Sequence, residues 1–149
     1  MRYGAILRLT VGFVAWVMMS ACTSQDKTSA AIADSLRASE GKWVDLAQAV
    51  PGDWERVCFL GPYSENTIAR KTLGFDWNAA WKTAIQENEG ITLLLFVRGN
   101  EVLNYVEHPR SKGDFTNLSE QCFVQRDAVF IQDSKPGRGW PGLFHKEGT

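Results

Sequence analysis

The sequence predicts an α+β domain with a mainly antiparallel sheet of five to seven short strands and one or two helices. Three observations carry this. Short runs rich in β-branched and aromatic residues recur from residue 54 onward. Most are joined by hairpin-length turns rather than the long crossovers that parallel strands need. Helical patterning is strongest over residues 65–85, early in the folded part. The chain has 149 residues, formal net charge −1, 44% hydrophobic and 22% charged residues, which fits one globular domain with an appendage. That balance excludes a multidomain machine, a collagen-like repeat and a wholly disordered tail. No basic excess is present to neutralise a phosphate backbone, so nucleic acid is not an expected partner.

The appendage comes first. Arg2 and Arg8 precede an uncharged stretch over residues 9–21 (LTVGFVAWVMMSA), followed by Cys22, Thr23, Ser24, Gln25 and Asp26. This is the layout of an export signal. As a helix the 13 uncharged residues would span about 20 Å, short of a hydrocarbon core of about 30 Å, so a cleaved signal is expected rather than a membrane-spanning helix. Met19, Ser20 and Ala21 ahead of Cys22 resemble the bacterial lipobox, which implies cleavage before Cys22 and lipidation of its thiol. Acyl chains then hold the protein at a bilayer through about 0.8 kcal/mol per buried CH₂. Thr23 after the cysteine resembles lipoproteins sorted to the outer membrane of diderm bacteria. Loss of residues 1–21 removes two arginines and no acid, taking the formal charge from −1 to −3, so the lipid and not a basic patch is expected to anchor the chain.

Residues 22–41 read as a lipidated cysteine and flexible tether, since Ile32 and Leu36 are the only sizeable apolar residues past the cysteine. Their spacing allows a short helix over 30–38, marginal in isolation. The globular domain is expected over 42–149. Trp43, Val44 and Leu46 suggest a short strand closed by Pro51 and Gly52; residues 54–60 (WERVCFL) form a clearer one. After Gly61, Pro62 and Tyr63, Ser64 fits an N-cap for a helix over 65–73, ended by Gly74 as a left-handed cap. Asp76 would cap a second helix carrying Trp77, Trp81 and Ile85 on one side. Residues 91–97 (ITLLLFV) form a continuous apolar run, as in a strand covered on both faces. Gly99 and Asn100 make a two-residue hairpin turn into the strand 102–107. A polar loop over 109–114 follows, then strand candidates at 115–118, 122–124 and 128–132 and a Pro and Gly loop over 135–142.

Trp54, Glu55, Arg56, Val57 and Cys58 followed by Gly61, Pro62 and Tyr63, with Pro109, Arg110, Ser111, Lys112, Gly113, Asp114 and Phe115, resemble a group of small uncharacterised bacterial exported proteins and lipoproteins. Leu73, Gly74, Phe75, Phe96 and Val97 add to the likeness, which spans about half of the mature chain. The resemblance implies a shared fold and export, and supplies no activity or catalytic residue.

Cys58 and Cys122 are an even pair in a chain destined for an oxidising compartment, and a disulfide between them is expected. Across 64 positions the chain-entropy contribution is about 4 kcal/mol. His108 and His145 lie far apart and outside metal-ligand spacings, so neither a metal nor a cofactor is expected. His108, beside Glu107 at a strand end, is expected to face solvent. No GxSxG, GxGxxG or P-loop motif occurs.

The candidate contact residues are Arg110, Lys112 and Asp114 in the 109–114 loop, and Trp140 and Phe144 in the C-terminal segment. Arg110 and Lys112 with Arg56 could grip an anion; the local alternative is an Arg110–Asp114 pair. Most tryptophans are expected in the core, whereas Trp140 and Phe144 form either an aromatic docking tail or a strap over the domain. The reading that results is a non-enzymatic lipoprotein of the cell envelope, membrane-bound through Cys22 and binding an envelope or extracellular protein. In a diderm cell it would sit on the outer membrane facing the periplasm. The alternatives are a periplasmic inhibitor or immunity protein, and a small hydrolase using scattered residues such as Asp114 with His108.

Overall fold

The computed structural model describes residues 23–147. The signal segment and Cys22 lie outside the described residues. The fold is α+β, with seven strands in two antiparallel sheets. Strands β2 (Arg56–Leu60), β3 (Ile91–Arg98), β4 (Glu101–Pro109) and β5 (Cys122–Val124) form a sheet in the order β4-β3-β2-β5. Strands β1 (Trp43–Asp45), β6 (Val129–Asp133) and β7 (Gly142–His145) form a smaller sheet in the order β1-β6-β7.

The central strand β3 is buried from Ile91 to Val97, as its unbroken apolar run predicts, because both faces are covered. On one face Val57, Phe59, Leu94, Phe96 and Val106 meet Val44, Phe130 and Leu143 of the smaller sheet. On the other, Cys58, Leu60, Leu93, Leu95 and Val97 pack against Ala69 and Leu73 of helix α3 (Asn66–Leu73), with Ala79 and Ile85 beyond. Gly99 and Asn100 turn β3 into β4 with Arg98 opposite Glu101. One bulge follows: Phe96 pairs with Asn104 but Val97 with Val102, leaving Leu103 as the extra residue. Cys58 and Cys122 lie opposite each other on β2 and β5 and are joined by a disulfide. Gly74 ends α3 at φ 82°, the left-handed conformation that favours glycine.

The tether expected over 22–41 is instead helix α1 (Ser24–Ala38). A capping box starts it: Thr23 Oγ1 accepts from Asp26 N at 3.2 Å, and the Asp26 carboxylate accepts from Thr23 N at 3.1 Å. It ends in a Schellman turn, Gly41 N donating to Leu36 O at 2.8 Å and Glu40 N to Arg37 O at 3.0 Å. Ile32 is fully buried in the main core, Leu36 packs against it, and Asn104 on β4 donates to Thr28 Oγ1 at 3.3 Å. An isolated helix of this length is marginal in water; packing one face onto β4 supplies the missing stabilisation.

Other elements differ more locally. Glu65 occupies the N-cap position of α3, while the Ser64 hydroxyl donates to Gly61 O at 2.7 Å and holds the preceding turn. The second helix is one turn, α4 (Ala79–Lys82), capped by Asn78, whose side chain accepts from Trp81 N at 3.0 Å. Thr83 is extended and ends it, so Trp77 packs edge-on against Tyr105 and Ile85 is buried, while Trp81 stays 81% exposed. A further single turn, α2 (Leu46–Ala49), is capped by Asp45. Residues 115–118 are not a strand: Phe115 enters the core and Thr116–Leu118 make a 3-10 turn. Trp43, expected in the core, faces outward.

Candidate functional site

The loop after β4 was the first candidate contact region. Arg110–Lys112 is a 3-10 turn, and Arg110 is occupied: its guanidinium pairs with Asp114 at 2.8 Å and donates through Nη1 to Glu89 O at 2.9 Å. Asp114 also accepts from Thr116 N at 2.9 Å, and its carbonyl accepts from Leu143 N at 2.8 Å, fastening the loop to β7. Burial alone would raise the Asp114 carboxyl, but the hydrogen bonds from Arg110 and Thr116 bring it below its ordinary range. The same hydrogen bond is the largest cause of the raised Arg110 value. Lys112 is exposed.

Arg56 is not brought to this loop. It pairs opposite Val97 while Pro109 pairs opposite Ile91, six residues apart on β3, or about 20 Å. Its guanidinium donates instead to Leu73 O at 3.1 Å, closing the C-terminal end of α3.

His108 does not face solvent. It projects from β4 toward α1 and is fully buried, with Nδ1 at 3.0 Å from Ser29 Oγ. Burial pushes its pKa down to about 4, so the ring is neutral near pH 7. Among the described residues Nε2 makes no hydrogen bond of ordinary geometry, as is true of the buried Thr92 hydroxyl on the residue opposite, although the Lys112 backbone lies close enough to act on the ring. Gly113 closes over this side of the ring: a Cβ there would stand 3.3 Å from Nε2 and 3.3 Å from Leu36. Asp114 is engaged by Arg110 and Thr116, and the imidazole's side-chain partner is a hydroxyl on α1 that is itself only 6% exposed.

Trp140 and Phe144 lie on and beside the smaller sheet. Asn117 grips the Trp140 backbone twice, donating to its carbonyl at 2.8 Å and accepting from its N–H at 3.0 Å, which leaves the indole 71% exposed. Strand β7 runs through the end of the expected loop and pairs with β6, Phe144 opposite Ile131. Ile131 in turn faces Trp43 of β1. Trp43, Ile131 and Phe144 therefore form one cross-strand row. Strand alternation sends their neighbours Val44, Phe130 and Leu143 into the core, and the row to the opposite face. Trp43 is 45% and Ile131 41% exposed. Lys42, Asp45, Gln48 and Lys146 rim the shallow groove beside Trp43 and Ile131.

Sequence reasoning identified Trp140 and Phe144 but missed Trp43 and Ile131. The available signal was the alternation over 128–132, where Ala128 and Phe130 point one way and Ile131 the other. His145 was also missed as a packing residue: its ring stacks on Phe123 with centroids 4.4 Å apart, and Nε2 donates to Asp127 O at 2.8 Å.

Among the described residues, no helix is long and apolar enough to cross a membrane. Comparison with protein-family models, with curated proteins and with solved structures found no match.

Proposed function

We propose that this chain is a lipoprotein of the bacterial cell envelope, fixed to its membrane by an acylated Cys22, that acts by binding rather than by catalysis. Its docking face is the outer side of the three-stranded sheet, and its partner is an envelope or extracellular protein. The observation that carries the reading is the row Trp43, Ile131 and Phe144, whose first two members are nearly half exposed on a rigid sheet. Large apolar side chains grouped on an outer face and rimmed by polar residues suit a protein contact. The buried His108 supports binding over hydrolysis, since a substrate bond cannot reach an imidazole with no exposed surface.

The test is a photo-crosslinking residue at Ile131 in living cells, with Thr67 on the opposite layer as the control position. A discrete adduct from Ile131 alone, weakened by Trp43→Ala, is expected. Equal patterns from the two positions would overturn the proposed face. Capture of a hydrolase or toxin would narrow the reading to an inhibitor or immunity protein.

A further inference from the structure

We infer that the domain sits directly on the bilayer, with the start of α1 and the turn after β4 resting on phospholipid headgroups. This rests on the proposed acylation of Cys22. The sequence suggested about 18 flexible residues between lipid and domain, with a root-mean-square reach of about 20 to 25 Å. That slack is absent from the fold. Thr23 is already the N-cap of α1, its side chain and backbone both engaged with Asp26. One peptide unit, about 3.8 Å between Cα atoms, separates Cys22 from Thr23. An acyl group on Cys22 therefore brings the helix end to the headgroup layer.

The helix end is itself fixed. Ile32 is fully buried, and Ser29 and Thr28 bond to His108 and Asn104 of β4. The surface that arrives with it is the shallow groove where Thr23, Gln25, Asp26 and Ser29 face Pro109 and Lys112. Glu107 also lines it, so two carboxylates, Asp26 and Glu107, stand against one cation, Lys112, and the contact suits zwitterionic headgroups rather than an anionic membrane. The β3–β4 hairpin lies at the other end of β4, which runs from Glu101 to Pro109, and this puts Asn100 about 25 to 30 Å from Pro109 and about 20 to 25 Å from Glu107, the nearer β4 residue of the groove.

The experiment uses the full-length lipidated protein in phosphatidylethanolamine vesicles doped with a headgroup-attached quencher. A single fluorophore is placed at Lys112→Cys or at Asn100→Cys; the Cys58–Cys122 disulfide and the acylated Cys22 leave the new thiol as the only reactive one. Strong quenching at position 112 and several-fold weaker quenching at 100 are expected. A flexible Gly and Ser segment of 18 residues inserted between Cys22 and Thr23 should reduce the signal at 112 to that at 100. Equal quenching at both positions, or a signal at 112 unmoved by the insertion, overturns the inference. Protein mass and vesicle flotation separate the two levels. A chain lacking the acyl mass overturns anchoring and docking together, whereas an acylated, floating chain without quenching at 112 overturns docking alone.

Discussion

The two sheets share a pairing chemistry and differ in what covers them. The four-stranded sheet is enclosed, with the smaller sheet and α1 on one face and α3 and α4 on the other. The three-stranded sheet buries Val44, Phe130 and Leu143 on its inner face and leaves Trp43 and Ile131 on the outer one substantially exposed. Packing therefore accounts for the apolar residues of the two central strands of the first sheet on both sides, leaving only Leu103 and Val124 on its edge strands substantially exposed, whereas in the second sheet the exposed pair Trp43 and Ile131 lies side by side across two paired strands. The unaccounted side is the place to look for a partner.

The sharpest test of that contrast is to truncate one residue on each sheet. Phe96, in the enclosed sheet and edge-on to Trp54, is 1% exposed, and Phe96→Ala should lower unfolding stability by about 3 to 5 kcal/mol in urea titration. Trp43→Ala, on the edge strand of the smaller sheet, should cost about 1 kcal/mol or less in the same titration while weakening the crosslink from position 131. A stability loss at Trp43 as large as that at Phe96 would show that the outer row is structural and erase the distinction.

Next in size is the disulfide that holds the three-residue strand β5 at the rim of the enclosed sheet. The double variant Cys58→Ala/Cys122→Ala should lose about 2 to 4 kcal/mol in the same titration. A loss below 1 kcal/mol would mean that β5 is retained by its pairing with β2 alone.

A charge can also be placed on the covered face by acid. His108 titrates at its ordinary value of 6.5 when unfolded and at about 4 in the fold, because burial disfavours the imidazolium. The unfolded chain thus takes up the proton first as pH falls. Stability from the neutral ring is complete above pH 6.5 and is lost progressively down to about pH 4, by about 3 kcal/mol in total. His108→Gln should flatten that part of the pH–stability curve measured by denaturant unfolding. A wild-type curve already flat between pH 6.5 and 4 would show that the ring reaches water.

The features legible in the sequence are those decided within a few neighbouring residues. Residues 91–97 announce a covered strand, Gly99 and Asn100 a hairpin, and Gly74 a helix end, because each depends on local backbone preference or an unbroken apolar run. The cysteine pair was legible for another reason: past Cys22 the chain carries two thiols, which have one intramolecular pairing available. The features that could not be read depend on a partner far along the chain. Helix α1 looks like a polar tether until β4 supplies its other half, with Thr28 meeting Asn104 and Ser29 meeting His108 more than 70 positions away. The burial of His108 was hidden by the same gap. Strand β7 is four residues long, starts with glycine and gains its identity only from β6. Within the candidate site, the neutral role of Arg110 was foreshadowed by Asp114 four residues on, whereas the alignment of Trp43 with Ile131 and Phe144 needed the register of three strands.

The early start of α1 also bears on the order of maturation. Under the proposed anchoring, an enzyme would have to cut the chain between Ala21 and Cys22 and would need unfolded polypeptide on both sides of that bond. Helical backbone from Ser24 onward leaves at most Cys22 and Thr23 for this on the downstream side. Processing therefore precedes the seating of the first helix against β4. The rest of the domain can close beforehand, leaving its earliest-synthesised segment to dock last.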